Sequence, residues 1–155
     1  MIFEYFKLGI TGTKNGWTGS QFDSFLSVIK ELKFIDEFHH GDCVGVDMQA
    51  HYLVPCFCPR VSLHVHPPVN KKYRAFCGYI PSLSEVRLIF SEPSEYLTRN
   101  KDIVNSVDKM IACPKNMFEE LRSGTWAAIR YCRKIKKPLK IIWPDGSISD
   151  EGWVI

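Results

Sequence analysis

Several features that assign a function directly are absent from this sequence. No apolar run approaches the roughly 20 residues that a membrane-spanning helix needs. The first seven residues carry an acid and lack the apolar core of a signal peptide. The six cysteines form no C-x-x-C pair, so free and mostly buried thiols are expected. The net charge of +3 is too slight for a protein that coats nucleic acid. These absences predict a cytoplasmic protein with no membrane partner, for which nucleic acid is an unlikely partner.

What is present is ordinary for a folded domain. An apolar fraction of 45% and a charged fraction of 24% are typical of globular proteins, and 155 residues can bury a sizeable core. We therefore expect residues 1–155 to form a single domain.

Apolar segments of strand length alternate with amphipathic segments of helix length along the chain. Strands are predicted at about 7–11, 34–39, 61–66, 86–90, 109–113 and 139–143. Helices are predicted at about 20–33, 46–53 (closed by Pro55), 94–107 and 124–136. Asp145-Gly146 indicates a hairpin turn leading to a small C-terminal ribbon with residues 153–155. The alternation predicts a Rossmann-like three-layer α/β/α fold with a mostly parallel sheet of about five strands.

Three polar, glycine-bearing loops lie at strand–helix junctions, at residues 12–19, 39–47 and 122–126. In a parallel sheet such loops meet at the carboxyl edge of the strands, where ligands bind. A helix that begins there offers unpaired backbone N–H groups and the positive end of its dipole, which suit phosphate. The sequence therefore predicts one pocket for a nucleotide-sized anionic ligand.

The candidate ligand-binding residues lie in these loops and in two neighbouring segments. They are Gly12, Thr13, Gly41, Asp42, Gly45, Asp47, His66, Arg99, Asn100, Ser123, Gly124, Thr125 and Trp126.

Each candidate has an ordinary structural alternative. Ser123 and Thr125 would bind phosphate, or simply cap a helix. Asp47 would accept hydrogen bonds from a sugar or base, or complement a helix dipole. Arg99 would pair with phosphate, or be a solvated surface residue. Trp17 and Trp126 would stack on a nucleobase, or pack in the core.

The histidines at the predicted sheet edge invite a metal interpretation. Cys56, Cys58, His64 and His66 form the pattern C-x-C-x5-H-x-H, which is not the usual zinc-finger spacing. We therefore expect no metal and no other cofactor, and we assign His66 to ligand contact.

Five segments together resemble the SLOG superfamily of Rossmann-like proteins, which includes Lonely-Guy-type phosphoribohydrolases and DNA-processing protein A. These segments are residues 9–13, 39–47, 64–68, 96–100 and 123–126. The similarity is greatest to a small nucleotide-binding branch of that superfamily. The resemblance implies a nucleotide-like small molecule as ligand and a homo-oligomer.

The resemblance leaves three functions open. Lonely-Guy-type enzymes use an Arg and the Glu of a PGGxGTxxE motif; Arg99 matches the former, but the Glu position holds Ala128. Alanine cannot move a proton, so we expect a sensor, carrier or sequestering protein that binds a nucleotide-derived phosphate ligand. The alternative is a nucleotide N-glycosidase of the phosphoribohydrolase type, with Arg99 and Asp47 as catalytic residues. Nucleic-acid binding is disfavoured by the low net charge.

Overall fold

The computed structural model describes residues 4–83 and 85–153. The strands are β1 (Lys7–Gly12), β2 (Glu37–His40), β3 (Ser62–Val65), β4 (Arg87–Phe90), β5 (Lys109–Cys113), β6 (Leu139–Ile142) and β7 (Ile148–Glu151). The helices are α1 (Gly19–Leu32), α2 (Val46–Phe57), α3 (Tyr96–Ser106) and α4 (Gly124–Ile135), with a 3₁₀ turn at Pro81–Leu83.

These strands form one seven-stranded sheet in the order β4-β3-β2-β1-β5-β6-β7. The strands from β4 to β6 are parallel, and β7 runs antiparallel to β6. The prediction of a mostly parallel α/β fold is confirmed, with more strands than the expected five. The chain order reverses between β1 and β5, and ligands of such sheets bind in the crevice at this switch point.

The C-terminal ribbon exists, but its second strand differs from the prediction. The turn at Asp145 and Gly146 leads directly into β7, where Ile148 pairs with Ile142. The predicted strand at 153–155 is not the partner; of its residues, Val154 and Ile155 lie outside the described residues, as do residues 1–3 of the N-terminal stretch. Most residues of β7 are polar, so the apolar runs used to predict strands do not indicate it.

The helices cover both faces of the sheet and create two apolar cores. Phe25 and Ile29 of α1 and Val54 of α2 pack on one face. Val104 of α3 and Ile129 of α4 pack on the other. None of the helices in the described ranges combines the length and apolar character needed to cross a bilayer.

One predicted helix boundary is wrong. Pro55, expected to close α2, lies inside it, and the helix continues to Phe57. A proline in the last turn removes only one backbone donor, and the Cys58 amide still bonds the Val54 carbonyl at 2.9 Å.

Gly45 fixes the entry into α2. Its φ of +88° and ψ of −130° are open only to glycine, and an added Cβ would meet the Thr13 carbonyl oxygen. We expect Gly45→Ala to lower the free energy of unfolding by about 2–4 kcal/mol in urea titrations. Gly19→Ala, at a position with open space, is the matched control and should change stability by less than about 0.5 kcal/mol. Equal effects of the two substitutions would contradict this role.

Candidate functional site at the carboxyl edge of the sheet

A cavity of about 700 Å³ opens at the carboxyl edge of the sheet. Residues 10–15, at the end of β1 and in the loop after it, form its floor. Residues of the loop after β2, the start of α3, and the segment 115–125 that leads into α4 form its walls. The three polar loops singled out in the sequence therefore contribute to one concave surface.

The start of α4 presents backbone donors to this cavity. The Ser123 side chain caps the helix by accepting the Trp126 amide at 3.2 Å. The first helical residues, Gly124 and Thr125, line the cavity, and amides at these positions have no partner within a helix. This helix terminus therefore has the geometry of an anion-binding site.

Asp47 is the most unusual group in the cavity wall. Its side chain is 5% exposed, and its Oδ2 accepts the amides of Gly41 at 3.1 Å and Cys43 at 3.4 Å. Its Oδ1 is also buried and has no hydrogen-bond partner within the described part of the chain. Burial raises the pKa of Asp47 to about 6, although the nearby Arg99 lowers it. A buried carboxylate oxygen without a donor, in a cavity wall, is a position at which a ligand or a water molecule can supply the donor.

Arg99 lies beside Asp47 and is itself 5% exposed. One guanidinium nitrogen donates to the Gly41 carbonyl and, at 3.3 Å, to the His66 carbonyl. Its Nε donates to Asn100 Oδ1 at 2.9 Å. Arg99 thus joins α3 to the loops after β2 and β3 and holds a positive charge at the cavity wall.

The Arg99 guanidinium occupies the space that a side chain at position 41 would need. A Cβ at this position would lie 2.6 Å from Arg99 Nη1 and 2.7 Å from its Cζ. We expect Gly41→Ala to displace the guanidinium and to lower the free energy of unfolding by about 2–4 kcal/mol in a urea titration. Gly78→Ala, whose added Cβ would lie 4.0 Å from the Phe76 carbonyl oxygen, should be tolerated. Equal free energies of unfolding for both variants and the parent protein would contradict the predicted displacement of the guanidinium.

Nine of the predicted site residues line the cavity. They are Gly12, Thr13, Gly41, Asp47, Arg99, Asn100, Ser123, Gly124 and Thr125. Ligand binding by these residues stays a prediction; what the structure establishes is their shared location.

Four predicted site residues lie elsewhere. The buried Asp42 carboxylate is occupied by Arg74 Nε at 2.9 Å and the Cys77 amide at 2.8 Å, and so fastens the irregular 70–78 segment. Gly45 serves the backbone turn into α2. His66 is buried with its ring against His39. Trp126 is 3% exposed and packs against Trp143 in the core.

The predicted tryptophan stacking platforms are therefore not in the cavity. Trp17 packs on Phe25 with ring centroids 4.8 Å apart. The aromatic rings that do line the cavity belong to Tyr73 and Tyr96. The hydroxyl of Tyr96 is buried with no partner among the described residues, like Asp47 Oδ1. Neither tyrosine lies in a glycine loop; Tyr96 begins the 96–100 segment, in which Arg99 and Asn100 were the candidate residues, and Tyr73 lies in no motif.

The charge of the lining is predominantly positive. Its basic residues are Lys14, Arg99, Lys115, Arg122 and Arg130. Its acids are Asp47 and Glu120. Cys43 contributes no negative charge, because burial raises the pKa of its thiol to about 11. The cavity is thus locally basic although the whole chain is nearly neutral.

The fold is similar to that of DNA processing protein A. A structure of that protein from Helicobacter pylori superimposes with a TM-score of 0.55 at 18% sequence identity and covers 88% of this chain. This chain spans 64% of the length of that structure. No protein-family model matches the sequence, and the search of curated proteins finds no significant match.

The comparison shows that this chain shares a Rossmann-like fold with that protein. It also corrects one expectation, because the matched structure is described by its single-stranded DNA binding mode. The expectation that nucleic acid is an unlikely partner was wrong. Net charge was a poor guide because it averages over the whole chain, whereas five basic residues line one cavity.

Proposed function

We propose that this protein binds a phosphate-bearing nucleotide unit in the cavity at the carboxyl edge of the sheet. The phosphate would accept the amides of Gly124 and Thr125 at the start of α4. A hydroxyl or N–H of the sugar or base would donate to Asp47 Oδ1. The observation that carries the proposal is this buried, unpartnered carboxylate oxygen, which belongs to a residue that lines the same cavity as an open helix terminus.

The ligand must offer both a phosphate and a hydrogen-bond donor, which distinguishes it from a simple anion. An anion alone would satisfy the helix terminus but would be repelled by Asp47 once this group is ionised. A nucleotide offers ribose hydroxyls and base N–H groups within one molecule, and about 700 Å³ is ample room for it.

Isothermal titration calorimetry with nucleoside monophosphates, the corresponding nucleosides and inorganic phosphate tests the proposal. We expect the nucleotide to bind at least about tenfold more tightly than either fragment, because each fragment engages half of the site. Gly124→Pro, which removes one amide at the first helical position, where proline is favoured, should weaken nucleotide binding. Thr98→Ala, on the exposed side of α3, is the control. Equal affinity for nucleotide and phosphate would contradict the proposal.

A second candidate ligand, single-stranded DNA, is favoured by the matched fold and by the basic lining. Lys115 and Arg122 are exposed at the cavity mouth, where they could contact the phosphates on either side of a bound nucleotide unit. Tyr73 and Tyr96 offer rings for base stacking. In this case the cavity holds one nucleotide unit of a longer strand.

Fluorescence anisotropy with a labelled oligodeoxythymidylate separates the two ligands. If the strand binds, Lys115→Ala/Arg122→Ala should lower its affinity about 10-fold or more and reduce the slope of log K against log salt by about 1.4. The control Lys30→Ala/Lys134→Ala removes two exposed lysines elsewhere. Binding of mononucleotide but not of the strand would leave the nucleotide proposal standing alone.

Hydrolysis of an N-glycosidic bond is the less favoured function, although its candidate catalytic residues Arg99 and Asp47 both line the cavity. Ala128, at the position of the family's glutamate, is 2% exposed and packed in the interior. Glu120 lines the cavity, but its Oε1 is held by Asn116 at 2.8 Å.

A further inference from the structure

A second cluster of chemistry-bearing side chains lies on the sheet, outside the cavity. His39 of β2 and His64 of β3 are neighbours in register, and Glu37 precedes His39 by two residues on the same face. Glu37 Oε1 lies 2.8 Å from His39 Nε2 and 3.4 Å from His64 Nε2. The side chains of Glu37 and His64 are 16% and 18% exposed, whereas that of His39 is 5% exposed.

We propose that Glu37, His39 and His64 form a binding site for a divalent transition-metal cation of the zinc type. Two imidazoles and one carboxylate are a common donor set for such cations. With metal–ligand bonds of about 2.0–2.2 Å, adjacent ligand atoms of a tetrahedral site lie about 3.3 Å apart. The three ligand atoms here lie within 4.8 Å of one another, and the partly exposed side gives entry to the cation and room for a water ligand.

A hydrogen-bonded chain behind His39 supports this role. His39 Nδ1 lies 2.8 Å from His66 Nε2, and His66 Nδ1 lies 3.4 Å from Ser91 Oγ. Without a cation, the Ser91 hydroxyl donates to His66 Nδ1, His66 Nε2–H donates to His39 Nδ1, and His39 Nε2–H donates to Glu37. When a cation binds His39 Nε2, the proton on that nitrogen leaves to solvent and the His66 Nε2 proton passes to His39 Nδ1. The Ser91 hydroxyl proton passes to His66 Nδ1 and is replaced from solvent, so that His39 Nδ1–H donates to His66 and His66 Nδ1–H donates to Ser91. Metal-binding histidines require such an acceptor for their other nitrogen.

The ring of His64 must tilt for the site to close. The His39 and His64 rings are stacked, with centroids 4.3 Å apart and an angle of 14° between their planes, so their lone pairs do not yet converge. His64 is partly exposed, and the hydrogen bond that it gives up is a 3.2 Å contact with Ser62 Oγ.

A second histidine cluster, formed by His40, His51 and Cys77, lacks this freedom. The Asp42 amide donates to His40 Nδ1 at 3.0 Å, so His40 Nε2 carries the proton and donates to His51 Nδ1. His51 Nε2 then donates to the Gly78 carbonyl at 2.8 Å. The chain begins at a backbone amide, which can only donate, and ends at a backbone carbonyl, which can only accept. The direction of its hydrogen bonds therefore cannot be reversed to free a ring nitrogen for a metal. We assign the cluster a structural role.

Zinc titration of the metal-stripped, full-length protein by calorimetry tests the proposed site. We expect one saturable site, whose affinity falls about 100-fold or more in His64→Ala and in Glu37→Gln, and about 10-fold or more in His66→Gln. Cys56→Ser, which removes an exposed thiol of the C-x-C-x5-H-x-H pattern, should bind zinc as the parent protein does. Circular dichroism confirms folding, and His64→Gln replaces His64→Ala if the latter fails to fold.

The visible spectrum of the cobalt-loaded protein provides an independent readout. Ligation by nitrogen and oxygen predicts a spectrum without thiolate charge-transfer bands, and His64→Ala should change it. The proposal is overturned if no saturable zinc binding occurs, if His64→Ala binds zinc like the parent protein, or if Cys56→Ser loses the site. None of the three ligands lines the nucleotide cavity, so this result is independent of the nucleotide experiments.

Discussion

Replacing Asp47 by asparagine is expected to stabilise the protein by about 2–3 kcal/mol at pH 7.5 while weakening nucleotide binding. The parent protein holds an ionised carboxylate at a position that is 5% exposed, and burial raises its pKa from 3.8 to about 6. Asparagine has nearly the same shape, keeps an acceptor for the Gly41 and Cys43 amides, and carries no charge. A gain in stability together with a loss of nucleotide binding would indicate that Asp47 serves ligand binding at a cost in folding stability.

The pH dependence of this difference follows from the direction of the pKa shift. The pKa of Asp47 is higher in the folded than in the unfolded protein, so the folded state binds more protons between about pH 4 and pH 6. This group therefore destabilises the parent protein fully above about pH 6, and the penalty disappears as the pH falls to about 4. The stability difference between Asp47→Asn and the parent should shrink over the same range.

Urea denaturation at intervals between pH 4 and pH 8 measures this curve. Asp23→Asn, on the exposed side of α1, is the matched control and should show a difference of less than about 0.5 kcal/mol at every pH. Destabilisation by Asp47→Asn at pH 7.5 would show that the carboxylate is satisfied within the protein. The ligand argument would then lose its main support.

Loss of Arg99 should produce the largest destabilisation of any single change in the cavity wall. Arg99→Ala leaves the buried Gly41 and His66 carbonyls without their donor and the Asp47 carboxylate without its nearest cation. We expect a loss of about 3–5 kcal/mol in the free energy of unfolding. Arg99→Lys should recover only part of it, because an ammonium group cannot reproduce the fork of a guanidinium.

The matched control for Arg99 is on the same helix. Lys101 is exposed, and Lys101→Ala should alter stability by less than about 0.5 kcal/mol. If Arg99→Ala does not fold, the Arg99→Lys variant still gives the measurement. Stability within about 1 kcal/mol of the parent in Arg99→Lys, together with unchanged nucleotide affinity, would reduce Arg99 to an ordinary surface arginine.

The fold could be predicted because its signals are local. The alternation of apolar strands with amphipathic helices determines the mostly parallel sheet, and the edge rule for such sheets brings the three glycine loops together. The strand at Lys109–Cys113 was predicted with its observed ends because it is apolar and stops at Pro114. By contrast, β7 is short, polar and held mainly by its pairing with β6.

The site was harder to predict because loop residues can face either way. Asp42 and Asp47 lie in the same turn, yet one carboxylate binds Arg74 and the other lines the cavity. This outcome depends on the 70–78 segment, which packs against the turn from 30 residues further along the chain. Trp126 follows a loop that lines the cavity, but helical geometry turns its side chain into the core. Tyr73 and Tyr96 reach the cavity only through tertiary packing.

The most direct test of this account is a two-dimensional amide NMR titration of the protein with a nucleoside monophosphate. We predict saturable shifts of the Gly124 and Thr125 amides together with those of Gly41 and Cys43, which bond Asp47. Inorganic phosphate should shift only the first pair. Shifts confined to residues outside the cavity, or no shift at millimolar nucleotide, would contradict the claim that these loops form one nucleotide-binding site.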